Sequence, residues 1–224
     1  MSISTMHIWL EQRRYTSVLI ALVILLCMIP FLQSSLSGLM ILRALFSVLV
    51  LALVLSVRRG KLISNGIIVL ALAWMIISWI GPHISPFGSN QVLPAATNIL
   101  ALAIVILATA FIVSDVLFAK RIDFDILSGG VAVYLLIGIA WALVHTLVER
   151  TVPGSFHNLA TSSEPLTVDA IYFSLTTLTT LGYGDIAPIS TMARMLAVLE
   201  AVTGVIYLAI LIPSLVSLYL RYRQ

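Results

Sequence analysis

Apolar runs at residues 16–32, 39–57, 62–80, 93–118, 126–147 and 192–219 set the terms for any fold of this chain. A helix needs about 20 such residues to cross the hydrocarbon core of a bilayer, and these runs reach or approach that length. Only 9% of the residues are charged, against roughly 25% in a soluble domain. The expectation is an all-α membrane protein of six transmembrane helices, set in the plasma or inner membrane of the cell. The net charge of +3 does not call for a nucleic-acid partner, because the basic residues gather in small clusters at the ends of the runs. The single cysteine, Cys27, excludes a disulfide or thiolate metal site within one chain and reads as a buried small hydrophobe.

Those clusters also give an orientation. Arg13 and Arg14, then Arg58, Arg59 and Lys61, then Lys120 and Arg121, then Arg221 and Arg223 all fall on one side if the six runs alternate in direction. The opposite connections, 33–38 and 81–92, hold no lysine or arginine, and 148–167 holds only Arg150. Both termini are therefore expected in the cytoplasm. The first run lacks a small-residue cleavage pattern and reads as an uncleaved helix. The expected organisation is a cytoplasmic N-terminus (1–15), a four-helix membrane domain (16–118), a cytoplasmic linker (119–125), a second membrane unit (126–219) and a short cytoplasmic C-terminus (220–224).

Inside the second unit, residues 168–178 form an apolar piece that spans only about half a bilayer at ~1.5 Å per residue. It reads as a re-entrant half-helix, with Ser162, Ser163 or Thr167 as N-cap and Asp169 in its first turn. The passage TLTTLGYGDIAP follows, at 177–188, and is a poor helix former. Non-helical backbone at membrane depth survives only when packed in protein or lining a watery cavity. Gly182 and Gly184 can take positive φ, which lets successive carbonyls point one way. Leu181 and Tyr183 would then point back into packing. Four copies around an axis would stack rings of carbonyl oxygens, with the Thr180 hydroxyls closing the inner end.

Thr180-Leu181-Gly182-Tyr183-Gly184-Asp185 resembles the selectivity filter of the potassium channel family, and the resemblance extends over residues 126–218. It implies an outer helix (126–147), a pore helix (168–178), a filter (180–184) and an inner helix (192–219). It also implies a homotetramer in a lipid bilayer, with K+ as the permeant ion held by Thr180, Leu181, Gly182 and Tyr183 and no organic cofactor. Leu181 replaces the family's usual valine or isoleucine, which leaves the carbonyl and changes the packing behind it. Thr176, Thr177, Thr179, Tyr172, Phe173 and Asp185 stand as filter support, the two aromatics at positions that form a cuff in the family. The half-helix C-terminus, near Leu178 and Thr179, carries roughly half a negative charge and favours a cation beneath the filter.

The inner helix supplies the gating candidates. Gly204 sits where the family has a hinge glycine, and close helix packing is the other reading. Pro213 disturbs the ladder one turn earlier. Glu200, an intramembrane acid, faces protein or water. It either anchors to pore-helix hydroxyls such as Thr176 or Thr177, or faces the cavity as a proton-sensitive group. His145 is read as lying at or beyond the outer end of its segment, as an amphipathic anchor or a proton sensor. Arg194 is expected to anchor at the interface or pair with Asp185 or Glu164, and Asp115 to pair with Lys120, Arg121 or the basic loop at 58–61.

Run 93–118 has no basic residue, so the voltage-sensing arginines of six-segment channels are missing and a voltage-independent pore is expected. No nucleophile motif, phosphate loop or metal-ligand cluster points to an enzyme, and no repeated halves point to a secondary transporter. A weakly selective monovalent cation channel and a non-conducting channel-associated subunit are the remaining alternatives. In many family members the aspartate after the filter pairs with a pore-helix carboxylate, and Thr176 holds that position here. A weaker brace at Asp185 predicts slow inactivation that Thr176→Glu alters; identical current decay in the two proteins would remove the idea.

Overall fold

The computed structural model describes residues 13–32, 36–57, 61–84, 92–119, 123–159 and 168–222. The cap candidates Ser162, Ser163 and Thr167, together with Glu164, Arg58, Arg59, Lys120, Arg121 and Arg223, lie outside the described residues. The elements follow in the order α1 (Arg14–Leu32), α2 (Leu36–Ser56), α3 (Lys61–Ile84), α4 (Val92–Leu117), α5 (Phe124–Thr151), β1 (Phe156–His157), α6 (Val168–Leu178), β2 (Ala187–Pro188) and α7 (Thr191–Tyr222). Among the described residues, five helices are long and apolar enough to cross a membrane, and the apolar part of α2, Met40–Ser56, is shorter. The chain is thus a mostly helical, multi-pass membrane protein.

Local sequence explains several boundaries. Asp123 caps α5: its carboxylate accepts from the Ile126 amide at 2.8 Å while its own backbone stays extended. The helix runs on to Thr151, four residues past the end of the apolar run, because Val148 and Glu149 still turn inward and are buried. Asp169 lies in the first turn of α6, where the positive end of the helix dipole favours an acid. The helix α7 continues past Pro213 to Tyr222.

The helices pack α1 on α2 and α5, α3 on α4, and α4 along α5, with α6 wedged between α5 and α7. Leu22, Leu49, Leu53, Trp74, Ile104 and Ala108 fill the centre of the first four helices. Their outer faces are apolar and exposed, as at Ile20, Val69 and Leu72, which suits lipid rather than water. Cys27 belongs to that exposed outer face, not to the core as expected, because it falls between the inward turns of Leu22, Leu25 and Ile29.

Polar contacts tie the start of α1 to the junction of α4 and α5. Asp115 accepts from the Arg14 guanidinium at 3.1 Å and from the Tyr15 hydroxyl at 2.5 Å. Asp125 accepts from both the amide and the hydroxyl of Thr16, at 2.8 and 2.9 Å. The partners of Asp115 thus include the beginning of the first helix, across a separation that no local pattern encodes.

In the second unit α7 buries a narrow stripe, Ala193, Glu200, Gly204 and Leu211, against α5 and α6. The spacing of these residues keeps them on one helical face. Val198, Val202, Val205 and Ile206 remain exposed. Tyr207 clips α7 to α5 by donating to the Gly130 carbonyl at 2.7 Å and stacking on Tyr134.

Candidate functional site

The α6 helix ends at Leu178, and the next residues turn back on it. The amides of Leu181 and Gly182 both donate to the Thr176 carbonyl, at 2.8 and 3.1 Å, and the Thr180 amide donates to that of Thr177 at 2.9 Å. The amides of this stretch are therefore spent on the end of the helix. Among the described residues no donor reaches the carbonyl oxygens of residues 180–184.

Backbone angles explain how those carbonyls are arranged. Gly182 and Gly184 have φ of 51° and 83°, and Thr180, which the sequence did not mark for this, has 60°. Left-handed residues therefore alternate with ordinary ones at 180, 182 and 184. In a normal strand successive carbonyls alternate in direction; alternating the hand of the backbone cancels that reversal and brings the oxygens to one side. A left-handed threonine is strained by roughly 1–3 kcal/mol and persists only where its surroundings enforce it. Here the amide bonds to Thr176 and Thr177 do so.

Residues 179–185 are exposed. Leu181 and Tyr183, expected to point into packing, are 55% and 69% exposed, and the Tyr183 ring lies parallel to that of Tyr172 at 6.5 Å. Nothing lies within 4 Å of a Cβ built on Gly182 or Gly184. Among the described residues, the stretch is left largely uncovered beyond its contacts with Thr176, Thr177 and Tyr172.

The end of the stretch at Asp185 is braced by residues other than Thr176. The Asn158 side chain donates to the Asp185 carbonyl at 3.0 Å, and the Tyr172 hydroxyl lies near the Asp185 carboxylate. Strand β1 pairs antiparallel with β2, and the Ser155 carbonyl takes the amides of Ile189 and Ser190. Glu149 anchors this turn by accepting from the amides of Gly154 and Phe156, at 2.7 and 2.9 Å. Thr176 bonds its own helix, donating to the Phe173 carbonyl, and Thr179 likewise bonds the carbonyls of Leu175 and Thr176. Arg194, expected to anchor at the interface or to pair with Asp185 or Glu164, donates to the Pro188 carbonyl at 3.3 Å.

The expected aromatic pair divides. Tyr172 faces Tyr183, but Phe173 is buried and packs edge-on against His145 and Phe156. His145 is fully buried in α5, contrary to its expected place at the outer end, because α5 continues beyond it. Its Nε2 meets the Glu200 carboxyl at 2.7 Å, and the other carboxyl oxygen meets the Ser174 hydroxyl. Glu200 is anchored to the short helix, but through Ser174 and not through Thr176 or Thr177. Ser174, Asn158 and Glu149 were not singled out from the sequence; a serine facing an intramembrane acid was the available signal for the first.

Comparison with known proteins gives matches over part of the chain. Residues 142–221 match a family model described as ion channel. Two-pore potassium channel 4 of Arabidopsis thaliana is 41% identical over 59 residues, covering 26% of this chain and 21% of that protein. Two pore potassium channel c of Oryza sativa subsp. japonica is 36% identical over 86 residues, covering 38% of this chain and 19% of the relative. Inward rectifier potassium channel Kirbac3.1 of Paramagnetospirillum magnetotacticum is 35% identical over 75 residues, covering 34% of this chain and 22% of the other. The chain thus spans about a fifth of the length of these curated relatives. No solved structure matches it.

Gly204 brings α7 close to this site. A Cβ there would stand 2.2 Å from the Leu178 carbonyl oxygen, at the very end of α6. Close packing thus has a concrete cause, whatever hinge motion the residue also allows. Gly204→Ala is expected to destabilise the protein by about 1–3 kcal/mol through overpacking, read as a lower midpoint in thermal unfolding in detergent. An unchanged midpoint would contradict the close contact.

Proposed function

We propose, from a segment at residues 142–221 that belongs to the ion-channel family, that the chain is one subunit of a potassium-selective channel. The observation that carries this reading is the row of carbonyls at 180–184, alternating in backbone hand and unbonded among the described residues. Neutral oxygens gathered on one side of a strand can replace the water around a dehydrated monovalent cation. A single chain offers only one column of them. The reading therefore requires copies around an axis, four in a homotetramer, so that the oxygens close into rings.

The exposure of the strand and of the apolar faces of α7 supports copies as the missing cover. K+ is the substrate, held by the carbonyls of Thr180, Leu181, Gly182 and Tyr183 with the Thr180 hydroxyl at the inner end. Six spans, both termini cytoplasmic, and α6 entering and leaving from the outer side complete the arrangement. Its C-terminal dipole, aimed beneath the strand, favours the cation's approach. Helix α4 contains no basic residue. Sensing voltage takes charge that moves through the field, worth about 2.3 kcal/mol per charge per 100 mV, so the pore is voltage-independent. Gly204 and Pro213 remain the gating candidates on α7.

Purified protein in planar bilayers tests this directly. With K+ on one side and Na+ on the other, the reversal potential should move toward the K+ equilibrium potential. A reversal near zero would mean a weakly selective cation pore, and silence would leave a non-conducting subunit.

A further inference from the structure

Behind the α6 helix, where no solvent reaches, the side chains of Ser174, His145 and Glu200 join α6, α5 and α7. All three are fully buried. Counting their protons constrains the chemistry. Ser174 carries one hydroxyl hydrogen and lies within bonding distance of two oxygens, the Gly138 carbonyl at 2.6 Å and a carboxyl oxygen of Glu200. A carbonyl can only accept. If the serine donates to Gly138, the contact with Glu200 needs a proton from the acid. If it donates to Glu200, the Gly138 oxygen faces a bare serine oxygen with nothing between them.

The histidine supplies an independent constraint. Its Nε2 points at the other Glu200 oxygen at 2.7 Å. Among the described residues its Nδ1 has no hydrogen-bond partner, and the ring lies among those of Trp141, Phe156 and Phe173. An imidazolium would strand an N–H donor in that aromatic box, whereas the neutral ring with its hydrogen on Nε2 leaves only an unused lone pair there. With a neutral histidine, an ionised Glu200 would be a buried charge without a counter-ion, the costly case.

We infer that Glu200 is a protonated acid that donates to Ser174, frees Ser174 to hold the Gly138 carbonyl, and accepts from His145. It is thereby a positioning residue for the 180–184 strand, since it fixes the helix whose last carbonyls hold that strand's amides. The consequence for conduction rests on the proposed pore; the protonation does not.

Glutamine reproduces the inferred pattern, with an amide N–H for Ser174 and a carbonyl for His145. Infrared spectra of wild-type protein and E200Q in lipid should differ by a protonated-carboxyl C=O band present only in the wild type. Absence of that band overturns the protonation regardless of whether the protein conducts. In K+ flux from vesicles, E200Q should stay within about twofold of wild type, and E200A should lose roughly tenfold or more, as stranding buried polar groups does. E200A should also lower the K+ over Na+ permeability ratio, which loss of folded protein alone would not change. If E200Q falls as far as E200A, the residue acts as a carboxylate and the inference fails. If wild-type protein passes no ion, the pore reading fails instead, and a missing infrared band would still overturn the protonated acid.

Discussion

Backbone carbonyls without donors are expensive anywhere near lipid, where each unsatisfied group costs several kcal/mol. Much of the second unit can be understood from that constraint. The amides of residues 180–182 are consumed by the end of α6. Their oxygens must then find partners that the described residues do not provide. The twist that turns them to one side is held locally, by two glycines that accept a left-handed backbone and by one threonine forced into it. A cation with a weakly held water shell is the partner that such oxygens suit.

The surroundings keep that short stretch in place. Helix α6 is gripped on one side by α5, through Gly138 and Ser174, and on the other by α7, where Gly204 lets that helix close on Leu178. The end of the stretch at Asp185 is tied down by the turn that follows α5, through Asn158 and the β1–β2 pair. Asp115 joins α1 to the end of α4, and Asp125 joins α1 to the start of α5. A disturbance in the first four helices therefore has a polar route to the helix that supports the site.

Helices were legible because apolar runs of membrane length leave few other options: α6 falls on the residues read for it, and α4 on a run without basic residues. The glycines at 182 and 184 announced their backbone angles, but Thr180 did not, since nothing in its identity encodes the bonds that force it. Long-range polar partners were the least legible. Glu200 was recognisable as an acid needing an anchor, yet its choice of Ser174 and His145 over Thr176 or Thr177 depends on helix rotation. His145 was misplaced because α5 continues a further six residues, to Thr151. Asn158 lies in a turn whose fold depends on Glu149, a contact invisible to any periodicity.

Direct localisation of the ion tests the central idea most sharply. Rubidium, heavy enough to be located by its anomalous scattering, can replace potassium in crystals of the assembled protein. Peaks in single file on a fourfold axis, each ringed by carbonyl oxygens of residues 180–183 from four copies, are the expected result. Rubidium absent from that axis, or oxygens of this stretch turned toward protein donors in the assembly, would contradict the account.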